Sequence, residues 1–433
     1  MRKFLTALVL GGFLVVSLGS QYSYAGEVDI LLQKLVEKGV LTSGEAQEIK
    51  TETQEQVKKE ISQGKYSSLP AWVQNIKLKG DLRLRYQYKH EKAINDYAKD
   101  TQVGRVRARL GLEAKINEKL LAGIGIATSS GDPRSTNVTF GDTSTSSGGD
   151  GGYSSKFSIR LDYAYAKYSP WPWLNFVGGK MLLPDTLWEP TDLIWDTDIT
   201  PEGAIVQLNK NLGSNASVFM NTGALIETAD TSTNADTLMA YLVQPGINYK
   251  FNDTFSLKGA FTYYDFSNMK HAAFPTASWY KSTNSKLGTN WKYGFRMISP
   301  ALEFKVMQPF KALGLGVESL KFFGEYVNNL AVSDKNSGFS TGFQLGNEKI
   351  EKRGDWQLRY IYAMLEKDSV PDFLPDSDRY GGKTGIRSHE GALSYGLGKN
   401  TSLGLDIYRS WNIIGTSTKA PETLVQVDWN MKF

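Results

Sequence analysis

The sequence predicts an all-β chain: an antiparallel transmembrane β-barrel of about sixteen strands, preceded by a short helical segment. Three observations predict it. From residue 75 onward apolar and polar residues alternate with period two, down to the final "TLVQVDWNMKF". There Val425, Val427, Trp429, Met431 and Phe433 share one parity and Gln426, Asp428, Asn430 and Lys432 the other, so the strand has one apolar and one wet face. The connections between such segments alternate between short and long, as tight periplasmic turns and longer external loops do. Aromatics make up 12% of the chain, 22 of them Tyr, and tryptophans fall near segment ends at Trp171, Trp173, Trp291, Trp356, Trp411 and Trp429, as interfacial girdles require.

Residues 1–25 read as a secretory signal peptide: Arg2 and Lys3, an apolar run from Phe4 to Gly19, and Ser23-Tyr24-Ala25 as the cleavage site. An outer-membrane destination in a Gram-negative bacterium, after cleavage near Ala25, follows from this segment together with the barrel. Downstream there is no apolar stretch long enough for a helical span, and mean hydropathy is −0.34. The chain has no cysteine, which excludes disulfides and thiol chemistry and suits export through an oxidising compartment. A formal charge of +4 gives no reason to expect a nucleic-acid partner.

Residues 26–70 form a separate periplasmic segment, a helical hairpin or coiled coil with a linker. Val28, Leu31, Leu32, Leu35 and Val36 repeat at helical spacing, Gly39 is a C-cap candidate, and Thr42 with Glu45 makes a capping box for a second helix. Residues 50–64 read equally well as a charged linker. The barrel then occupies 71–433. Its first two strands are the cleanest, "NIKLKGDLRLRYQYK" and "GRVRARLGLEAKI". Others fall roughly at 119–128, 156–168, 171–182, 203–210, 215–227, 238–251, 254–266, 294–308, 319–330, 340–350, 355–367, 388–398, 401–413 and 422–433, several alternating less cleanly.

Two stretches bear on function. Lys77, Lys79, Arg83, Arg85, Lys89, Arg105, Arg107, Arg109 and Lys115 fall on the wet faces of the first two strands and form one basic wall, since paired strands lie about 4.8 Å apart. In a narrow lumen such a wall acts on passing ions; it could equally pair with acidic loop residues and hold the loop. The second stretch is the third external loop, 183–201, with its flank. It carries Asp185, Trp188, Glu189, Asp192, Trp195, Asp196, Asp198 and Glu202, a set suited to folding into the lumen as a constriction opposite the basic wall. Asp196-x-Asp198 could instead bind calcium, but the spacing lacks the rest of a calcium loop. No cofactor or metal is expected. The three histidines, His90, His271 and His389, accompany no nucleophile motif, so no catalysis is expected.

The stretch 178–208 resembles the putative porins of Gram-negative bacteria, in Gly179-Lys180-Met181 with Pro184, Trp195-Asp196-Thr197-Asp198, and Pro201-Glu202-Gly203; "LVEKGVLTSGEA" is similar to that family's N-terminus. The resemblance implies a pore-forming outer-membrane protein assembled as a homotrimer. The C-terminal strand with Trp429 and Phe433 resembles the ending that barrel-insertion machinery reads. The expected function is a passive diffusion channel for small polar or anionic solutes or ions, embedded in outer-membrane lipid. The alternative is a structural or adhesive barrel binding a partner through its external loops.

Overall fold

The computed structural model describes residues 32, 34–62, 75–92, 98–143, 152–228, 237–414 and 421–433. The expected signal peptide lies outside them. The chain divides into two units, 1–70 and 71–433. In the first, residues 34–37 are helical and end at Gly39, whose φ of +69° is left-handed. Helix α1 (Ser43–Ser62) follows. Its N-terminus is a reciprocal capping box: the Thr42 N–H donates to Glu45 Oε2 at 2.8 Å, and the Glu45 N–H to Thr42 Oγ1 at 3.3 Å. The charged stretch 50–62 is therefore helix rather than linker. Among the described residues no helix is long and apolar enough to cross a membrane.

The second unit is a closed antiparallel barrel. Its strands are β1 (Ile76–Lys92), β2 (Ala98–Lys115), β3 (Leu120–Thr128), β4 (Ile159–Trp171), β5 (Leu174–Lys180), β6 (Glu202–Asn211), β7 (Ala216–Thr228) and β8 (Leu238–Lys250), then β9 (Phe255–Ser267), β10 (Phe295–Met307), β11 (Ser319–Asn329), β12 (Ser337–Gly346), β13 (Trp356–Leu365), β14 (Ile386–Gly398), β15 (Thr401–Asn412) and β16 (Glu422–Lys432). Each pairs with its neighbours in the chain, and β16 closes on β1 in a register running from Asp81↔Lys432 to Glu91↔Glu422. The seam ends in a reciprocal pair: Gly80 N–H donates to the Phe433 carbonyl at 2.8 Å and Phe433 N–H to the Gly80 carbonyl at 3.0 Å. The Phe433 ring occupies the space a side chain at residue 80 would need.

Loops 181–201, 268–294 and 366–385 lie at one rim; the other, with the C-terminus, carries shorter connections, of which 308–318 is the longest. Two turns are built alike. The side chain of Asn117 accepts the N–H groups of Lys119 and Leu120, and that of Asn252 those of Thr254 and Phe255. The outer face carries Leu78, Leu84, Tyr86, Leu110 and Leu112, exposed to the barrel's surroundings, while Arg85 and Arg107 of the other parity are buried inside.

The interior is divided. Toward the loop-bearing rim the inner faces of β5–β13 carry an apolar patch, with Val177, Ile205, Leu225, Leu242, Tyr264, Met297, Val327 and Ile361 all buried; toward the other rim they are polar, with Asn248, Lys258, Glu303 and Lys305. Loop residues complete this core: Leu187, Leu193, Ile194 and Trp195 from loop 181–201, Met269, Tyr280 and Trp291 from 268–294, and Val370 and Leu374 from 366–385. Trp291 thus departs from the girdle expectation; it is 1% exposed, edge-on to Phe274, because its loop turns inward. The strand expected at 340–350 runs Ser337–Gly346 and stops where Gly346 takes a φ of +110°.

Candidate functional site

The inner faces of β1, β2, β14, β15 and β16 stay polar. Between them and the loop-filled half lies a gap of about 600 Å³. Arg83, Arg107 and Arg109 line one side and Asp185, Asp192, Asp196 and Asp198 of loop 181–201 another, joined by Asp376 and Asp378 of loop 366–385, Glu390 of β14 and Asp406 of β15.

The basic residues are held by carboxylates of the same wall. Arg85 makes a bidentate pair with Asp428, Nε–Oδ1 2.7 Å and Nη2–Oδ2 2.9 Å, across the β1–β16 seam. Asp81 takes both Arg107 (Nε–Oδ1 2.9 Å) and Arg109 (Nε–Oδ2 2.7 Å). Arg83 donates to Asn430 Oδ1 at 2.9 Å, and Arg105 to the Asn137 carbonyl at 3.2 Å. Only two ion pairs among the described residues join this wall to a loop, Arg109 to Asp198 at 3.6 Å and Arg85 to Asp378 at 3.4 Å. Lys77, Lys79 and Lys115 sit near the turn-bearing rim, outside the gap lining, with Lys79 paired to Glu113 at 2.9 Å; Lys89 lies near the other rim, paired with Glu91.

Loop 181–201 is fixed at both ends and its middle. Met181 N–H donates to the Pro201 carbonyl, and the Trp188 backbone exchanges two 2.9 Å hydrogen bonds with the Gln244 side chain of β8. Glu189 accepts from Tyr264 Oη at 2.9 Å, and Thr191 donates to Glu325 of β11 at 2.7 Å. The Trp188 ring faces Lys258 Nζ at 4.7 Å, and Trp195 packs against Tyr264 in the core. Glu189 and Trp195 therefore anchor the loop rather than line the gap. Glu202 pairs with Lys180 at 2.9 Å and also lies outside the lining. Both oxygens of Asp196 are taken by backbone N–H groups, Oδ1 by Asp198 and Oδ2 by Ser377, so this pair clamps two loops.

Loop 366–385 was not singled out by sequence reasoning. It packs on loop 181–201 through Asp196 N–H to the Leu374 carbonyl, 2.7 Å. Asp372 ties it to loop 268–294 by accepting from Tyr280 Oη and the N–H groups of Thr283 and Asn284. Its Arg379 is buried among Asp192 (2.7 Å), Glu390 (2.6 Å) and Asp376 (3.9 Å). Those three carboxylates lie close enough to share an ion, and the guanidinium is the cation they meet. Arg379 holds Asp192 below the ordinary carboxylate range despite its burial. Burial, reinforced by Asp192, pushes Asp376 well up; burial, reinforced by Asp198, does the same to Asp196. A signal was available: "PDFLPDSDR" has the Pro, Asp, Leu and aromatic make-up of "LPDTLWEPTD".

The family-like motif has a backbone explanation. Gly179 and Gly203 face each other across β5 and β6 with φ of +119° and +147°. A Cβ would lie 2.3 Å from the Ala164 carbonyl oxygen at the first and 2.2 Å from that of Ala224 at the second. Both positions flank loop 181–201, so the motif marks where the chain leaves and re-enters the wall.

Comparison with solved structures finds the same fold. The chain matches OprB of Pseudomonas putida, in a high-pH structure, with a TM-score of 0.56 and 12% identity, over 83% of this chain and 95% of that one. It also matches the outer-membrane channel DcaP of Acinetobacter baumannii (TM-score 0.46, 14% identity, 83% and 97% coverage) and a triple mutant of the Rhodopseudomonas blastica porin (0.42, 10%, 83% and 100%). No curated protein matches the sequence. The sequence profile described as "putative porin" matches residues 40–101, 89–297 and 309–433. With that coverage and a closed sixteen-stranded barrel, the chain belongs to the putative porin family, whose fold is that of an outer-membrane channel.

Proposed function

We propose that this barrel is a passive diffusion channel for small polar or anionic solutes, with its constriction formed by residues 183–201 together with loop 366–385. The observation that carries the reading is the gap itself: strand-borne Arg83, Arg107 and Arg109 on one side, loop-borne Asp192, Asp196 and Asp198 on another. Opposed rows of fixed charge set a transverse field across a passage, which orders dipolar solutes without binding them tightly. Burial, reinforced by Asp198 and by Asp192, raises the pKa of Asp196 and of Asp376, so these acids give up charge as pH falls and the anion-favouring side grows stronger at low pH.

The finer assignments belong to the same proposal. The mature chain starts after Ala25, residues 26–70 lie in the periplasm, three copies assemble, and the β16 end with Trp429 and Phe433 is read by the insertion machinery. A structural or adhesive barrel is the competing reading. Planar-bilayer recording of the refolded mature protein under a potassium chloride gradient separates the two. Stepwise conductance with an anion-favouring reversal potential is expected. A cation-favouring potential would keep the channel and hand selectivity to Asp192, Asp196 and Asp198. Inserted protein that gives no steps would sink the channel reading.

A further inference from the structure

The outer surface carries a cationic patch that the channel does not use. At the loop-bearing rim one row runs across five strands, Tyr362, His389, Arg409, Thr423 and His90 on β13, β14, β15, β16 and β1. One row nearer the rim, Arg387 stands opposite Trp411. These side chains point away from the lumen. Arg387 and His389 are exposed while Ile386, Ser388 and Glu390 between and beside them are buried inside. Farther along the same outer faces come Leu393, Tyr395, Leu397 and Ile407, an apolar surface of the kind that meets lipid.

Arg387 and Arg409 both lie against one indole, with guanidinium carbons 5.5 Å and 5.7 Å from the Trp411 ring centroid. Arg409 also donates to Thr423 Oγ1. His389 stands edge-on to the same indole at 5.8 Å and is held through Nδ1 by Tyr360 Oη at 2.6 Å. Among the described residues neither arginine has a carboxylate within 4.0 Å. The one acid at the end of the row, Asp100, is taken by His90 at 2.6 Å. Inside the barrel the pattern is the reverse: Arg85, Arg107, Arg109 and Arg379 each meet a carboxylate. Unpaired cations on a lipid-facing surface are costly unless an anion comes from outside the chain. At the external rim the neighbours are lipid headgroups, and a guanidinium fork matches a phosphate.

We propose that Arg387 and Arg409, aligned by Trp411, bind a phosphate group of an outer-leaflet lipid. The proposal rests on the barrel's membrane setting and is independent of what the pore passes. The test is native mass spectrometry of the detergent-solubilised protein with added lipid A in bisphosphorylated and dephosphorylated forms. Wild type is expected to hold the phosphorylated form at least about tenfold more tightly, the scale on which hydrogen bonds to charged groups contribute. R387Q/R409Q, checked as folded by its heat-dependent gel mobility, is expected to lose that preference, and R387K/R409K to keep part of it. Equal binding of the two lipids by wild type overturns the proposal, a comparison that needs no variant to fold. So does a folded glutamine variant that binds as wild type does, or one that loses only subunit association, which would make the patch a contact between copies.

Discussion

Replacing Arg379 by Gln removes the cation that pairs with Asp192 and with the buried Asp376 and Glu390. Arg379 is 2% exposed and joins loop 366–385 to Asp192 of loop 181–201 and to Glu390 of the wall, at 2.7 Å and 2.6 Å. Taking one partner from a buried ion pair costs roughly 3–5 kcal/mol, because the other charge is left unpaired. The barrel itself is held by a closed strand ladder that this substitution does not touch. The cost therefore falls on the loops, and even about 3 kcal/mol shifts the balance between loops packed and loops released by roughly 10²-fold. Single-channel recording should show larger and noisier conductance at neutral pH. The defect should shrink on acidification, since without the arginine burial favours protonated Asp192. D192N in the same background should restore part of the wild-type behaviour by removing one orphaned charge. Folded R379Q protein with wild-type conductance and noise would refute the claim that this residue fixes the constriction.

The remaining predictions concern selectivity, pH and backbone. R83Q/R109Q removes two cations from the gap lining and should move the reversal potential toward cations; an unchanged potential would take control away from the basic wall. Asp196 and Asp376 have folded-state pKa values raised by burial and neighbouring carboxylates, so each is neutral at low pH and gains charge as pH rises through its raised pKa. Cation preference should therefore grow with pH, and D196N/D376N should flatten the dependence; a double variant with the wild-type slope would contradict the assignment. G179A or G203A forces a Cβ against a neighbouring carbonyl at a positive φ. It should cost about 1–3 kcal/mol, read as a lower urea midpoint of the refolded barrel.

The barrel was legible because its signal is geometric. Period two, the alternation of loop lengths and the aromatic C-terminus survive whatever the interior does, and the Thr42–Glu45 box was readable for the same local reason. The wall arginines were legible by parity, but their partners were not. Asp81 and Asp428 lie on the same wet faces, and it takes the β1–β16 register to show that Arg85 meets Asp428 across a seam joining the two ends of the chain. Loop 366–385 stayed hidden because a loop has no period; what fixes it is a set of contacts to Asp196, Tyr280 and Asn329 that are remote in sequence.

The strands that alternate badly carried information of their own. In β8, "LMAYLV", both parities are apolar: Leu238, Ala240 and Leu242 face the interior and are buried, while Tyr241 on the outer face is exposed. A strand of a water-filled barrel has no reason to place leucine inside, unless something dry covers it. What covers these is the folded-in loops, through Leu193, Ile194, Trp195 and Leu374. By contrast β1, and β16 from Val425 onward, keep the alternation, with inner faces that carry Arg83, Arg85, Gln426 and Asp428. Loss of period two in the middle of the chain thus marks where the folded-in loops meet the wall. The gap that Arg83, Arg107 and Arg109 line lies against strands that still alternate.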